Sequence, residues 1–212
     1  MAGEQSFPLD VVDIIIDLVA DMDDASHTSL KACALASSLF LHSCRRHFFC
    51  SVTLGYGFHE LKFLEVLGSS PGIANYVRKL KVAVNYNYDS RENKASLILA
   101  SAIKEFRRVQ HLEIKGHMGR SESWDTIPRC LQEAFFHLFP MIGSLQLSFF
   151  HQFRFSVLTR CVNLRCLQLY AVSEPVLDLT SVLPTRSIVL DEYSMSIGTA
   201  GAKSLDSILT LA

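Results

Sequence analysis

The sequence of 212 residues predicts an α/β protein in two parts. Residues 1–54 are expected to form a three-helix module, and residues 55–212 a short leucine-rich-repeat-like solenoid of parallel strands with helices on its convex side. Two observations predict this class. One short spacing of apolar residues recurs along the second part, with helical patterns between its copies, which is typical of strand–helix repeats. The charge also divides there, because residues 1–54 carry a net charge of −4 and residues 55–212 one of +3.

The first helix is predicted from Phe7 to Met22, with Pro8 in its first turn, where the missing N–H of proline costs nothing. Four aspartates form a solvent-facing stripe along one side: Asp10, Asp13, Asp17 and Asp21. The apolar residues form two neighbouring ridges, Val11, Ile14, Leu18 and Met22 in one and Val12, Ile15, Ile16 and Val19 in the other. This arc is wider than a single core requires. We therefore expect one ridge to pack internally and the other to bind a partner; the alternative is that both pack inside the protein.

Two shorter helices complete the module. The second is predicted over residues 28–37 and is rich in small side chains, which permit close approach of its neighbours. The third runs from about Leu39 to Phe48 and ends in the basic pair Arg45 and Arg46, which suits the negative end of a helix. A strand pattern follows at once, so we expect the module to pack on the end of the solenoid with a rigid junction near Ser51.

Three short helices that open with Phe-Pro and close with an Arg-Arg-His-Phe-Phe run resemble the F-box, the module that docks substrate receptors onto the adaptor of SCF-type (cullin–RING) ubiquitin ligases. The resemblance covers residues 7–54, and the chain has Phe7, Asp10 and Phe40 where the family often has Leu, Glu and Trp. The resemblance implies that a Skp-type adaptor, and through it a cullin, is a partner. The residues that it implies for adaptor binding are Phe7, Pro8, Val12, Ile15, Ile16, Val19, Leu30 and Cys33.

From Phe49 onward one spacing recurs: an apolar residue, two others, an apolar residue, one other, and an apolar residue. The copies are Phe49/Val52/Leu54, Val77/Leu80/Val82, Val109/Leu112/Ile114, Ile142/Leu145/Leu147 and Leu164/Leu167/Leu169, with a weaker sixth at Ile188/Leu190. Their middle positions are 28, 32, 33, 22 and 21 residues apart. This is the strand core of a leucine-rich repeat, whose period is about 20–29 residues.

Helical spacings of apolar residues fill the first three intervals, for example Leu64 and Leu67, Leu99 and Ile103, and Leu131 and Phe135. The fourth interval, residues 153–161, allows only a short turn or helix. The runs LGSSPGIANYVRKLKV, FPMIGSLQL and CVNLRCLQL resemble the repeats that follow the F-box in many short fungal receptors. The end of the chain carries no clear polar cap, so we expect a truncated or uncapped solenoid.

Residues that flank the middle apolar positions are expected to project from the concave face of the sheet, because side chains alternate along a strand. We interpret this face as the surface that binds a target protein. Its predicted residues are Lys79, Lys81, His111, Glu113, Lys115, Gln146, Gln168 and Tyr170.

No catalytic or metal-binding motif occurs. The six cysteines include no C-x-x-C pair and the eight histidines no H-E-x-x-H pair, so we predict neither a metal nor a cofactor. A net charge of −1 gives no reason to expect nucleic acid, and no apolar run approaches the length of a membrane span. We predict a non-catalytic protein of the cytoplasm, the nucleus or both.

The sequence therefore indicates the substrate-recognition subunit of an SCF-type ubiquitin ligase, with an unknown target protein. The alternative is a leucine-rich interaction scaffold with no ligase role, whose N-terminal helices only cap the solenoid. A third possibility is a fragment or degenerate copy without function.

Overall fold

A computed structural model describes residues 8–22, 27–55, 58–84, 94–116, 122–172 and 190–196, with the side chains of residues 58–61, 122, 155, 195 and 196 left aside. The chain forms two compact units, Met1–Ser51 and Val52–Ala212. The predicted α/β class is confirmed, as is the parallel sheet, which has six strands.

The first unit holds three helices at the predicted places: α1 Leu9–Met22, α2 Thr28–Ala36 and α3 Ser38–Phe48. Ser37, which the sequence placed at the end of the second helix, instead caps α3, since its side chain accepts a hydrogen bond from the Leu39 N–H at 3.2 Å. Such a cap satisfies one of the free donors at a helix start. The small residues of α2 thus stop at Ala36 and the chain turns directly into α3.

The core of this unit is small. Its fully buried apolar side chains are Val12, Ile16, Leu30 and Cys44. Partly buried residues pack around them from all three helices: Val19, Ala20, Cys33, Ala34, Leu39, Phe40 and Phe48. From α1 this core takes Val12, Ile16, Val19 and Ala20, which lie on one side of the helix.

The strands of the second unit are β1 Ser51–Leu54, β2 Lys79–Ala83, β3 His111–Lys115, β4 Glu122–Ser123, β5 Ser144–Ser148, β6 Phe150–His151, β7 Cys166–Tyr170 and β8 Glu192–Ser196. The main sheet has the order β1-β2-β3-β5-β7-β8, so its strands follow one another in chain order, and the pairs from β2 to β8 are parallel. Strands β4 and β6 form a separate parallel pair.

Helices cross between successive strands, as the apolar spacings predicted. They are α4 Phe58–Ser69, α5 Lys94–Glu105 and α6 Arg129–Leu138, with short 3-10 helices η1 Pro71–Tyr76, η2 Trp124–Thr126 and η3 Phe155–Arg160. Only η3 lies between β6 and β7, in the interval for which the sequence predicted a short turn or helix. Helical crossovers are what parallel neighbouring strands require.

The predicted register of the repeats is confirmed for four strands. The middle leucines Leu80, Leu112, Leu145 and Leu167 are direct partners across β2, β3, β5 and β7. The third positions form a second such row, and both rows are buried in one continuous core. Each strand therefore contributes the same two side chains to the core, which is the periodicity that the sequence showed.

The sixth copy was predicted at Ile188 and Leu190. Ile188 lies outside the described residues, and the strand that pairs with β7 is Glu192–Ser196, so the predicted position is wrong. Tyr193 is the partner of Leu167, and Met195 is the partner of Leu169. The recurring spacing is Leu190, Tyr193 and Met195, which places the last middle position 26 residues after Leu167 rather than 21. Tyr193 was overlooked because it is not aliphatic, yet its ring packs against the core in the leucine position and its burial raises the pKa of its hydroxyl.

Candidate interaction surfaces

Helix α1 carries an exposed apolar ridge in addition to the side chains that it buries in the core of the helical unit. Met22 is 88% exposed, Ile14 60% and Leu18 58%. The exposed ridge lies on one side of the helix. It consists of the first predicted ridge together with Ile15 from the second: Val11, Ile14, Ile15, Leu18 and Met22. Large apolar side chains grouped in this way on a protein surface mark an interaction site.

The structure divides the eight residues implied for adaptor binding. Pro8 and Ile15 are exposed. Val12, Ile16 and Leu30 are buried in the core of the helical unit, and the partly buried Val19 and Cys33 pack against that core. Phe7 lies outside the described residues. The placement of Val12, Ile16 and Leu30 on a partner-facing surface is therefore corrected, and the exposed ridge of α1 is the one that contains Ile14 and Leu18.

The aspartate stripe explains which ridge is buried. The Ser43 hydroxyl of α3 donates a hydrogen bond to the Asp13 carboxylate. The Arg46 guanidinium lies 2.5 Å from Asp17 and His47 Nε2 lies 2.7 Å from the same carboxylate oxygen. These contacts turn Asp13 and Asp17 toward α3, so the adjoining apolar side chains on that side of α1, such as Ile16, face the core, while Asp10 and Asp21 stay exposed.

Asp17 faces solvent, as expected, and it also links two helices. Desolvation by partial burial would raise its pKa, whereas the hydrogen bonds from His47 and Arg46, together with their positive charge, lower it. The lowering outweighs the desolvation, so the pKa of Asp17 lies below its ordinary value of 3.8. The carboxylate is therefore ionised at neutral pH and holds α1 against α3.

The eight predicted target-binding residues lie in three rows across the main sheet, on the side opposite the buried leucines. In the first row Lys79 and His111 are partners, followed by Ser144, Cys166 and Glu192. The second row runs Lys81, Glu113, Gln146, Gln168 and Ser194. The third contains Lys115, Ser148 and Tyr170. The spacing in the sequence thus brought these residues together as expected, because the register was read correctly.

Charge is distributed unevenly across these rows. Lys81 pairs with Glu113 at 2.9 Å, and Lys79 has no acidic partner among the described residues. On the far side of the sheet, β8 carries Glu192, and Asp191 before it is paired with Arg165 at 3.7 Å. Strands β2 and β3 therefore present a basic surface, which suits an acidic partner.

Phe149 is a residue of this surface that the sequence analysis missed. Its ring lies 5.4 Å from the ring of Tyr170, edge to face, and Lys115 Nζ lies 5.7 Å from its centroid. Its backbone is left-handed, with φ of 61°. No sequence signal could have shown this, because a phenylalanine after a strand is ordinarily assigned to the core.

A groove of about 670 Å³ lies apart from the predicted surfaces, between η2, α6 and η3. The Arg160 guanidinium on its wall stacks over the Phe136 ring at 4.3 Å. Arg129 pairs with Glu133 at 3.2 Å, and Asp125 pairs with Arg154 at 2.7 Å. The charged groups of the wall thus already have partners of opposite charge or an aromatic ring.

The described part of the chain shows no cluster of histidine, cysteine, aspartate or glutamate that could hold a metal ion. Its cysteines carry free thiols, and burial raises the pKa of the Cys161 thiol to about 12. A thiol with so high a pKa is a poor nucleophile at neutral pH. Within the same described residues no helix has the length and apolar character to cross a membrane.

No protein-family model, curated protein or solved structure matches this chain. Its function must therefore be argued from the two surfaces themselves, the ridge of α1 and the rows of the sheet.

Proposed function

We propose that this protein is the substrate-recognition subunit of an SCF-type ubiquitin ligase, with α1–α3 acting as an F-box and the sheet as the face of a leucine-rich repeat. The exposed ridge of α1 is the observation that carries the proposal. Three helices with a complete core of their own still leave Val11, Ile14, Ile15, Leu18 and Met22 uncovered. An isolated structural module would gain nothing from this exposure.

The ridge is suited to hold a helical adaptor. Burying each large apolar side chain contributes about 1.5–3 kcal/mol, so a few of them suffice for a stable contact once the cost of association is subtracted. The aspartates Asp10 and Asp21 border the ridge as exposed residues. This is the usual arrangement of an interface, in which an apolar centre is surrounded by a polar rim.

The proposed docking residues differ from those that the F-box resemblance implied. Pro8 and Ile15 are kept, because they are exposed. Ile14 and Leu18 replace Val12 and Ile16, which the helical unit needs for its own stability. The main sheet holds the target protein, and ubiquitin is transferred by other subunits of the ligase, so the chain itself makes no covalent bond. It would act in the cytoplasm, the nucleus or both.

Binding to a purified Skp-type adaptor tests the proposal. The full chain and an Ile14→Asp/Leu18→Asp variant are each co-expressed with the adaptor, and the adaptor recovered with the chain is measured. We expect at least a tenfold loss for the variant, because two carboxylates would be buried in an apolar contact. Leu97→Asp is the matched control, since Leu97 is an exposed apolar residue on helix α5 of the other unit.

Equal recovery with the wild type and the Ile14→Asp/Leu18→Asp variant would contradict adaptor docking through α1. If the folded wild type recovered no adaptor at all, the proposal would fail, and the scaffold alternative without a ligase role would remain. Circular dichroism of each variant shows whether the helices persist, so that loss of binding is not confused with loss of folding.

A further inference from the structure

Phe149 has an unfavourable backbone conformation, and it needs an explanation. Its φ of 61° lies in the left-handed region, which a bulky residue adopts only when the surroundings enforce it. Ala171 adopts a similar conformation directly after β7, with φ of 50°, so the fold calls for a left-handed residue at this point of the strand. A glycine after β5 would therefore be the less strained choice.

The strained conformation places the Phe149 ring on the exposed face of the sheet. Ser148 belongs to the row of Lys115 and Tyr170, so regular alternation would turn the next side chain to the opposite, buried face. The left-handed backbone breaks the alternation, and the ring instead lies between Lys115 and Tyr170, at 5.7 Å from the Lys115 ammonium and 5.4 Å from the Tyr170 ring. We call Lys115, Phe149 and Tyr170 the anchor cluster.

Among the described residues, Ser148 has no hydrogen-bond partner and Lys115 no acidic partner at the anchor cluster, although Lys115 lies over the Phe149 ring. The Ser148 side chain lies in the row between Lys115 and Tyr170, the residue is only 4% exposed, and its hydroxyl has no hydrogen-bond partner among the described residues. Buried hydroxyl groups are normally satisfied. In the same part of the chain no carboxylate pairs with Lys115. The cluster thus offers the Lys115 ammonium group and the Tyr170 hydroxyl to an incoming acceptor, while the buried Ser148 lies beneath it.

The apolar part of the cluster is also open. Tyr170 is 50% exposed, and its ring stands edge to face with Phe149. Tyrosine is among the residues that most often contribute the binding energy of an interface, and a paired aromatic ring adds apolar contact area. Lys79 and Lys81, on β2, extend the positive charge away from the cluster along the sheet.

We propose that the anchor cluster binds an acidic segment of the target protein, with one carboxylate at Lys115 and the Tyr170 hydroxyl and a neighbouring apolar side chain against the Phe149 and Tyr170 rings. A further acidic residue of the segment lies over Lys79, whereas Lys81 is already paired with Glu113. The inference rests on the proposed role of the sheet as the target-binding face, and it specifies the chemistry of the target.

A library of random dodecapeptides displayed on phage, panned on the immobilised full chain, tests the inference without knowledge of the target. We expect enrichment of peptides in which Asp or Glu stands next to a large apolar residue. Panning on Lys115→Glu should remove the acidic preference, and panning on Phe149→Gly should remove the apolar one. Lys62→Glu, at an exposed lysine of α4, is the charge-matched control and should enrich the wild-type sequences.

Affinity measurements on an enriched peptide, made by fluorescence anisotropy, complete the test. We expect binding at least about tenfold weaker for Lys115→Glu and for Phe149→Gly, and a smaller loss for Tyr170→Phe, which removes only the hydroxyl. The Phe149→Gly variant should unfold at a temperature no lower than the wild type, since glycine relieves the backbone conformation. Binding loss in a chain of undiminished stability separates recognition from folding.

Failure to enrich any peptide, or enrichment of the same sequences on the wild type, Lys115→Glu and Phe149→Gly, would overturn the inference. Neither result depends on the adaptor. Peptide binding without adaptor binding would refute the ligase proposal and leave the anchor cluster in place, and adaptor binding without peptide enrichment would do the reverse.

Discussion

Gly55 and Phe149 each follow a strand of the main sheet and have left-handed backbones, yet their reasons differ. A Cβ atom on Gly55 would lie 2.1 Å from the carbonyl oxygen of Ala83, so no other residue fits without moving the end of β2. Phe149 keeps a side chain at a comparable backbone conformation, and its ring contacts exposed residues of the sheet. A left-handed backbone also follows β7, at Ala171 with φ of 50°, so this conformation belongs to the fold, and what Phe149 adds is an aromatic ring beside Lys115 and Tyr170.

Gly55→Ala is expected to lower the free energy of unfolding by about 1–3 kcal/mol, because the methyl group adds a clash to a left-handed backbone. Urea unfolding followed by circular dichroism measures the change. Gly68→Ala is the control: no atom lies within 4 Å of the position that the added methyl group would take in helix α4, so this variant should be as stable as the wild type or more so. A Gly55→Ala variant of unchanged stability would show that this turn adjusts freely.

Asp17 gives the helical unit a defined dependence on pH. Its pKa is lowered in the folded state, so the ion pair with Arg46 and the hydrogen bond with His47 stabilise the fold above the unfolded pKa of about 4. That contribution is lost as the pH falls through the lower, folded pKa. Because the Asp17 side chain is 51% exposed, we expect a contribution below about 1 kcal/mol.

Asp17→Asn tests this dependence by thermal unfolding at neutral pH and at a pH below the folded pKa. The variant should be less stable than the wild type at neutral pH and equal to it in acid, where both side chains are uncharged. Asp21→Asn serves as the control, since Asp21 is exposed on the same helix and has no ion pair among the described residues. A difference between Asp17→Asn and the wild type that persisted in acid would exclude the contacts of Asp17 with Arg46 and His47 as its cause.

At the scale of elements, α1 shows how one helix serves two surfaces. Its buried side, which includes Val12 and Ile16, completes the core with α2 and α3. Its exposed side, which includes Ile14 and Leu18, has no role in that core. The two sides can therefore be separated by substitution, because they contact different atoms.

Ile16→Ala and Ile14→Ala form a matched pair on this helix. We expect Ile16→Ala to lower the free energy of unfolding by about 2–5 kcal/mol, since Ile16 is fully buried and its loss leaves a cavity. Ile14→Ala should change it by less than about 0.5 kcal/mol, as is usual for an exposed site. Similar losses of stability for the two variants, measured by urea unfolding, would mean that the ridge is not free.

The sequence predicted which side chains are buried more accurately for the strands of the main sheet than for α1. Leu80, Leu112, Leu145 and Leu167 were assigned to one row from their spacing alone, and the structure pairs them. A strand side chain can face only one of two sides, so a correct spacing fixes both the core row and the exposed rows. The side chains of a helix point in many directions around its axis. Where a wide arc of them is apolar, the sequence does not determine which part of the arc is buried.

At the scale of the whole molecule, the two units carry opposite charge, with a net −4 over residues 1–54 and +3 over residues 55–212. The acidic unit presents an apolar ridge with aspartates at its edge, and the other presents a sheet whose basic strands are β2 and β3. A receptor of the proposed kind needs two surfaces of different chemistry, because each must exclude the partner of the other.

The sequence alone determined the α/β class, the positions of the helices, and the strand register from β2 to β7, because these depend on local periodicity and on spacing repeated along the chain. Only the tertiary structure decided which side of α1 is buried, since Asp13 and Asp17 pair with residues of α3 that lie 29 or 30 positions away. It also assigned the last strand to Tyr193 and brought Phe149 beside Lys115 and Tyr170. The side of α1 and the place of Phe149 depend on contacts between distant residues and on a left-handed backbone, which no local pattern of apolar residues encodes; Tyr193 does fit the recurring spacing once aromatic residues are admitted.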